Sequence, residues 1–220
     1  MNPFDGYKLD HEVIPGILEK EWDVIEKKIT LLKPFAKSIH IDLLDGKFAP
    51  NTTWLDPQAF TPFAKDFLLE LHMMVENPLE YLKPFADAGF KRFIGQVEHM
   101  EDMEEFIAQG QLLGEVGLAI DSPTNPEVIT VPLDDLDVVF VMTVKAGFSN
   151  QSFLPEMLKK VSYFREKSQS IPIEVDGGIN DQTILAAKQA GATRFVSTGF
   201  LFNSDDPKAQ YEKLTRCVMA

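Results

Sequence analysis

The chain is poor in cysteine, in positive charge and in long apolar runs, and each of these shortages excludes a class of protein. It contains one cysteine, Cys217, in 220 residues, which excludes an intrachain disulfide framework. Its 21 lysines and arginines face 34 aspartates and glutamates, and the net charge of -13 argues against a nucleic-acid or anionic-lipid surface. No apolar run reaches the roughly 18 residues that a membrane span needs. The N-terminus also lacks a basic region followed by an apolar one. We therefore expect a cytoplasmic protein without a nucleic-acid or membrane partner.

Strand-like and helix-like segments alternate along the whole chain. Hydrophobic residues make up 45% of it, enough for one sizeable core. Such regular alternation predicts parallel βαβ units, and eight of them fit one (β/α)8 TIM barrel domain over residues 1–220. A doubly wound open sheet is the alternative, although no Gly-x-Gly-x-x-Gly follows the first strand. The predicted strands are 11–18, 38–44, 66–75, 92–97, 115–120, 136–144, 171–176 and 194–197.

The predicted helices come from apolar spacing of three and four residues and from turn signals. The Pro15-Gly16 pair is expected to interrupt or bend the first strand. Gly89 is expected to close the third helix as a C-terminal cap. The helices cover residues 19–36, 57–65, 79–88, 100–113, 125–129, 153–168, 180–190 and 205–217.

Four polar residues are predicted at the ends of barrel strands, where functional groups of this fold sit. His40 and Asp42 are two apart on the second strand and therefore face the same side. His72 lies on the third strand and Asp176 closes the seventh. Imidazole and carboxylate ligands suit one divalent ion, Zn²⁺, Fe²⁺, Mn²⁺ or Co²⁺. Taken singly, each group is also explained as a buried histidine or a helix-capping aspartate, so the metal-site hypothesis depends on all four together.

Glycine-containing loops at the same rim indicate phosphate binding. Gly177-Gly178 follows the seventh strand and Thr198-Gly199 the eighth, where barrels often hold phosphate on backbone amides. A simple strand-to-helix turn is the alternative for each. The loop 147–151 can close over a ligand or merely connect two elements. No His-Glu-x-x-His motif supports protease chemistry.

Several motifs in order identify the chain as resembling the ribulose-phosphate 3-epimerase family from Pro15 to Phe202. The matching runs are His40-Ile41-Asp42-Leu43-Leu44-Asp45-Gly46-Lys47-Phe48-Ala49-Pro50-Asn51, His72-Met73-Met74-Val75-Glu76-Asn77-Pro78, Val141-Met142-Thr143-Val144, Gln151-Ser152-Phe153-Leu154-Pro155-Glu156-Met157 and Ile173-Glu174-Val175-Asp176-Gly177-Gly178-Ile179.

The resemblance implies a ribulose-phosphate-binding barrel with one divalent metal held by His40, Asp42, His72 and Asp176. It also implies that Asp42 and Asp176 are the catalytic acid–base pair, which moves the C3 proton of a ketose phosphate through a cis-enediolate. The default substrates are D-ribulose 5-phosphate and D-xylulose 5-phosphate, and family members are often homo-oligomers. The implied substrate-binding residues are His72, Met74, Met142, Gly147, Phe148, Ser149, Asn150, Gly177, Gly178, Thr198 and Gly199.

Departures from the family pattern fall mainly on substrate recognition. Gly16 replaces a substrate-contacting serine, Ser149 and Asn150 replace two glycines, and Thr198-Gly199 replaces Gly-Ser. Lys145 adds a cation near the rim, Leu44 stands for a methionine, and Gln96 for a histidine on the fourth strand. An epimerase of another phosphorylated ketose, such as a hexulose 6-phosphate, is therefore an alternative. A non-catalytic paralogue that binds metal or sugar phosphate is another.

Overall fold

The computed structural model of the protein describes residues 10–219, so residues 1–9 and 220 of the expected 1–220 domain lie outside it. Eight parallel strands in these residues close into a barrel in the order β1 to β8, as predicted. A helical segment follows each strand, and the open-sheet alternative is excluded. The strands are β1 (Glu12–Ile17), β2 (Ser38–Leu44), β3 (Leu68–Met74), β4 (Arg92–Gln96), β5 (Glu115–Ile120), β6 (Val138–Met142), β7 (Ile173–Asp176) and β8 (Arg194–Ser197).

The outer layer consists of α-helices supplemented by short 3-10 helices. Several predicted helices are shorter in the structure, because their ends belong to loops, turns or 3-10 helices. Residues 57–65 and 125–129, predicted as helices, form 3-10 helices at Pro57–Phe63 and Pro126–Val128. The α-helices are α1 (Trp22–Leu32), α2 (Leu79–Asp87), α3 (Met103–Gln111), α4 (Leu158–Lys167), α5 (Thr183–Ala190), α6 (Gly199–Phe202) and α7 (Pro207–Met219).

β1 runs through the Pro15-Gly16 pair without a break, contrary to the expected interruption. Pro15 pairs with Ser197 of β8 and Gly16 with His40 of β2, so the strand keeps its place between both neighbours. Gly89 does adopt the left-handed conformation expected of a helix cap, with φ of 104°. Among residues 10–219 no helix combines the length and apolar character needed to cross a membrane.

Alternate residues of each strand face two different cores. Outward side chains such as Ile39, Ile41 and Leu43 of β2 pack under the helices. Inward residues fill the barrel, and they include polar groups as well as apolar ones. This alternation places His40 and Asp42 inside, as their two-residue spacing predicts. The apolar inward set comprises Ile14, Leu44, Met74, Ile94, Ala119, Val138, Phe140, Met142, Val144, Ala146 and Val196.

A buried lysine ties α4 to the loop that follows β5. Lys160 Nζ donates to the carbonyl oxygens of Asp121, Ser122 and Thr124 at 2.7, 2.8 and 2.6 Å. Asp121 Oδ1 in turn accepts from the backbone N–H of Ala146 at 2.9 Å. The ammonium therefore anchors one rim loop, and through Asp121 it fixes the start of the next one.

We expect Lys160→Met to lower the free energy of unfolding by about 2 kcal/mol or more, because buried carbonyls that lose their donor each cost roughly 1–3 kcal/mol. The matched control is Lys159→Met, whose side chain is exposed one position earlier in the same helix. Its effect should stay within about 0.5 kcal/mol. Urea denaturation measures both variants, and equal losses would contradict the anchoring role.

Candidate active site

Four buried side chains meet inside the barrel near the carboxyl ends of three strands. His40 and Asp42 come from β2, His72 from β3 and Asp176 from β7. One donor atom from each lies within 4.8 Å of the other three. The strand register explains the meeting, because Asp42 pairs directly with His72 across β2 and β3. The structure thus brings together the four residues that the sequence predicts as metal ligands.

Asp42 occupies the centre of this group. Its Oδ1 lies 3.2 Å from Nε2 of His40 and 2.9 Å from Nδ1 of His72. Two imidazole nitrogens thus point to one carboxylate oxygen, and Asp176 lies beside them. Two imidazoles and two carboxylates fit Zn²⁺, Fe²⁺, Mn²⁺ or Co²⁺. This donor set can hold one divalent ion.

The two aspartates differ strongly in acidity. Burial alone would raise the pKa of Asp42, but the charge and hydrogen bonds of the two histidines lower it to about 2. Burial and the negative charge of Asp42 raise the pKa of Asp176 to about 7. Near neutral pH the carboxyl of Asp42 is therefore ionised, while that of Asp176 can hold a proton. An acid–base pair needs this difference in pKa between its two groups.

A second layer of buried charge lies below the four residues, and the sequence analysis did not identify it. Glu70 of β3 bonds Nδ1 of His40 through one oxygen and Nη1 of Arg92 at 2.6 Å through the other. Burial opposes ionisation of Glu70, but Arg92 and His40 hold its pKa well below the usual range. An ionised Glu70 can only accept, so Nδ1 of His40 carries a proton, and Nε2 can either donate a second proton to Asp42 or give its lone pair to a metal ion.

Glu174 of β7 completes this lower layer. Its Oε1 lies 3.6 Å from Nδ1 of His40, and neither carboxyl oxygen has a hydrogen-bond partner among the described residues. Burial and the charge of Glu70 raise the pKa of Glu174 to about 8. Glu70 and Glu174 each precede a predicted ligand by two positions. The two-residue spacing that relates His40 to Asp42 in the sequence could therefore have found them.

Gln96 of β4 orients the second histidine. Its Oε1 lies 2.9 Å from Nε2 of His72, and its Nε2 donates to Glu98 at 2.9 Å. The other oxygen of Glu98 accepts from the N–H of Asp121 at 2.7 Å. Because a carboxylate only accepts, the Gln96 nitrogen has to face Glu98 and its oxygen has to face His72. His72 then carries a proton on Nε2, and its Nδ1 can either donate a second proton to Asp42 or give its lone pair to a metal ion.

A cavity of about 350 Å³ opens above the carboxylates, within the size range of small-molecule sites. Asp42 and Asp176 reach it, whereas His40 and His72 stay fully buried beneath. His72, predicted as a substrate-binding residue, is therefore not among the residues that line the cavity. The predicted substrate-binding residues that do line it are Met74, Met142, Gly147, Phe148, Ser149, Asn150, Gly177, Gly178, Thr198 and Gly199.

No lysine or arginine is among the described residues that line this cavity. Lys145, which the sequence suggested as a nearby cation, is not one of them. Glycine backbone, amide side chains and apolar side chains form the wall instead. Gly178 has φ of 67°, and a Cβ there would lie 2.6 Å from the backbone nitrogen of Phe153. Only glycine fits this close approach of two backbone segments.

Asn150 and Asn203 close one end of the cavity. Nδ2 of Asn203 donates to Oδ1 of Asn150 at 3.2 Å. Asn150 has φ of 60°, a conformation that asparagine tolerates better than most side chains. Its Oδ1 lies 2.7 Å from the position that a Cβ on Gly199 would take. The side chain therefore fills space above Gly199 that a glycine at position 150 would leave open. Asn180 and Asn203 line the cavity too, although the sequence analysis did not name them.

Solved structures confirm the barrel as the fold class. 3-Hexulose-6-phosphate synthase from Salmonella typhimurium aligns with a TM-score of 0.71 at 12% identity, covering 94% of this chain and 98% of that one. Phosphoribosyl anthranilate isomerase from Thermus thermophilus aligns with a TM-score of 0.63 at 11% identity, covering 94% and 98%. At these identities the two proteins are similar to this chain in fold alone.

Sequence relatives define the family within this class. Ribulose-phosphate 3-epimerase from Schizosaccharomyces pombe is 34% identical over 215 residues and covers 94% of both chains. The cytoplasmic isoform from Oryza sativa subsp. japonica is 32% identical over 216 residues, again 94% of both. Residues 12–202 match the ribulose-phosphate 3 epimerase family, and the chain belongs to it. The predicted family and its enzyme class, an isomerase that epimerises carbohydrates, are confirmed.

We expect Gln96→Leu to weaken Zn²⁺ binding about 10- to 100-fold, the usual effect of removing a partner that orients a metal-binding histidine. Without the amide, His72 can place its proton on Nδ1 and donate it to Asp42, which removes the lone pair from the site. Competition with a chromogenic chelator measures the affinity.

The matched control for this change is Gln109→Leu, an exposed glutamine on α3 that bonds Glu105. Gln96→His should retain most of the affinity, because a neutral imidazole can accept from His72 and donate to Glu98. Equal Zn²⁺ affinity of Gln96→Leu and Gln109→Leu would contradict the orienting role.

Proposed function

We propose that the protein is a metal-dependent ketose-phosphate 3-epimerase that interconverts D-ribulose 5-phosphate and D-xylulose 5-phosphate. The observation that carries the proposal is the pair Asp42 and Asp176 at the floor of one cavity, with opposite pKa shifts and two buried histidines beside them. Family membership supports the reaction class. The proposed ligands of one divalent ion are His40, Asp42, His72 and Asp176.

The aspartates carry out the proton transfers. One carboxylate removes the proton from C3, and the C–H electron pair moves into a cis-enediolate. The other carboxyl returns a proton to the opposite face of C3, so the carbon is inverted. A bound divalent ion supplies positive charge that stabilises the oxygens of the enediolate. Each turnover moves one proton from one aspartate to the other, and the reverse reaction exchanges their roles.

The remaining lining residues of the proposed site bind and shield the substrate. Met74 and Met142 place apolar groups beside the carboxylates and exclude water from them. Gly177, Gly178 and Gly199 line the cavity, where a phosphate can accept from backbone N–H groups. With no cationic side chain among the described lining residues, these dipoles and the neutral polar side chains of the lining are the protein groups available to the phosphate.

The second candidate is an epimerase of another phosphorylated ketose, such as a hexulose 6-phosphate, because the loop at Asn150 departs from the family pattern. Asn150 covers Gly199, so this end of the cavity is smaller than one built from glycines and favours the shorter pentulose. A non-catalytic paralogue that binds metal or sugar phosphate is the remaining alternative. The proposal includes a cytoplasmic protein without nucleic-acid or membrane partners, supported by the net charge of -13 and by the rice relative's name. It also includes a homo-oligomer, which only the family resemblance implies.

In D₂O we expect the epimerised product of D-ribulose 5-phosphate to carry deuterium at C3, because the returning proton comes from a group that exchanges with solvent. Asp42→Asn and Asp176→Asn should each slow epimerisation by about 10²- to 10⁴-fold, the usual contribution of a general acid or base. NMR of the C3 proton, with the Zn²⁺ content measured in parallel, follows both events.

Asp23→Asn, on the exposed side of α1, is the matched control and should epimerise at the unaltered rate. Formation of the inverted product by Asp42→Asn or Asp176→Asn at the unaltered rate would refute the two-aspartate mechanism. Bound metal without C3 exchange in any pentulose or hexulose phosphate would favour the binding paralogue.

We expect Asn150→Gly to raise kcat/KM for a hexulose 6-phosphate relative to D-ribulose 5-phosphate, because the space above Gly199 becomes available to a longer ketose. Glycine adopts the φ of 60° at this position without strain, so the loop should keep its shape. The ratio of the two kcat/KM values measures the effect. An unchanged ratio would show that Asn150 does not limit the length of the substrate.

A further inference from the structure

The carboxyl of Asp176 is held differently from that of Asp42. Two imidazoles lie within hydrogen-bond distance of Asp42, whereas the carboxyl of Asp176 makes no hydrogen bond to another residue among 10–219. Asp176 is also the last residue of β7 that pairs with both neighbouring strands, opposite Met142 of β6 and Val196 of β8. The position of this carboxyl therefore depends on how the backbone is held at the end of β7.

Thr143 holds this end of the strand. Its N–H donates to the carbonyl oxygen of Asp176 at 2.7 Å. Its hydroxyl lies 2.9 Å from the same oxygen and 2.6 Å from the carbonyl oxygen of Gly177, so its one proton is shared between the two. Thr143 is fully buried, and its own carbonyl accepts from the N–H of Leu154 at 2.8 Å. One fixed side chain thus holds the two peptide units that follow the Cα of Asp176.

The hydroxyl acts where the regular strand pairing stops. β6 ends at Met142 and β7 at Asp176, so no further ladder bond joins the two strands beyond them. Gly177 then turns the chain with φ of 117°, and a Cβ there would lie 2.4 Å from Cγ2 of Val144. The turn therefore requires glycine, a residue that restricts its own backbone little. The bonds from Thr143 supply the restraint that the ladder and the turn do not.

We infer that Thr143 is a positioning residue, which holds the backbone of Asp176 so that its carboxyl stays in place beside Asp42. This inference rests on the proposed function, since it concerns the second aspartate of that pair. Thr143 is not among the residues that line the cavity, although Met142 and Val144 on either side of it are. It therefore acts on the reaction only through Asp176. Proton transfer needs close alignment, and a misplacement of about 1 Å can slow a reaction about a hundredfold.

The first test removes the hydroxyl. At saturating Zn²⁺, Thr143→Val should lower kcat for D-ribulose 5-phosphate about 10- to 100-fold and leave KM within about threefold of wild type. Thr193→Val is the matched control. Thr193 is buried too, and it bonds Ile173 at the opposite end of β7, through its N–H at 2.8 Å and its hydroxyl at 3.1 Å. Both variants should lower the urea midpoint of unfolding similarly. Equal kcat values in the two variants would overturn the positioning role.

The second test asks whether Asp176 is the group affected. In D₂O, Asp42 can remove the C3 proton of the epimer that presents it to Asp42, exchange it with solvent and return a deuteron to the same face. Inversion of that epimer needs Asp176 as well. Thr143→Val should therefore raise the ratio of exchange to inversion about tenfold with this epimer and not with the other. Thr143→Ser retains the hydroxyl and should keep kcat within about threefold of wild type. Equal losses of exchange and inversion with both epimers would contradict the inference.

Zn²⁺ affinity separates this inference from the proposed function. Asp176 is one of the four proposed ligands, so Thr143→Val should bind Zn²⁺ about tenfold more weakly than Thr193→Val in competition with a chromogenic chelator. If the wild-type protein exchanges the C3 proton of no ketose phosphate, the proposed function fails, and the two affinities still decide whether Thr143 positions Asp176. If the wild type is active but Thr143→Val matches Thr193→Val in kcat and in Zn²⁺ affinity, the inference alone fails.

Discussion

The carboxylate of Asp42, held between two imidazoles inside the barrel, is the contact on which the arrangement of the site depends. A buried charge is costly unless it is paired and hydrogen-bonded. Here each imidazole is itself held from behind, His40 by Glu70 and His72 by Gln96. The orientation of both rings is therefore set by other buried side chains. Phe140 packs against both rings, with centroid distances of 5.5 and 4.6 Å, and limits their movement.

The same carboxylate produces the difference between the two aspartates. Its negative charge opposes ionisation of Asp176, while the histidines favour ionisation of Asp42 itself. One buried charge thus separates the acidities of two chemically identical groups. Below them, Arg92 pairs with Glu70 and so leaves Glu174 as the carboxyl that burial keeps neutral. Charge balance in the barrel follows from which carboxylates have a cationic neighbour.

Periodicity was sufficient to predict the barrel and its four central side chains. The two-residue spacing of His40 and Asp42 fixes a common face, and parallel strands bring their ends to one rim. The same period relates Glu70 to His72 and Glu174 to Asp176, but the spacing alone does not distinguish a ligand from a group that orients one. The bond from Gln96 to His72 and the bond from Glu98 to Asp121 join different strands and loops and depend on strand register and side-chain rotamers. Neither bond is encoded in local sequence.

No cationic side chain is among the described residues that line the cavity, so the charge of the whole molecule governs how an anion approaches it. A molecule with a net charge of -13 repels a sugar phosphate at long range, and only oriented dipoles and a bound metal ion attract it at short range. Dissolved salt screens the long-range repulsion beyond a distance of about 8–10 Å and leaves the short-range attraction largely intact. Encounter with the substrate should therefore become faster as ionic strength rises. Enzymes that steer their substrates electrostatically show the opposite dependence on ionic strength.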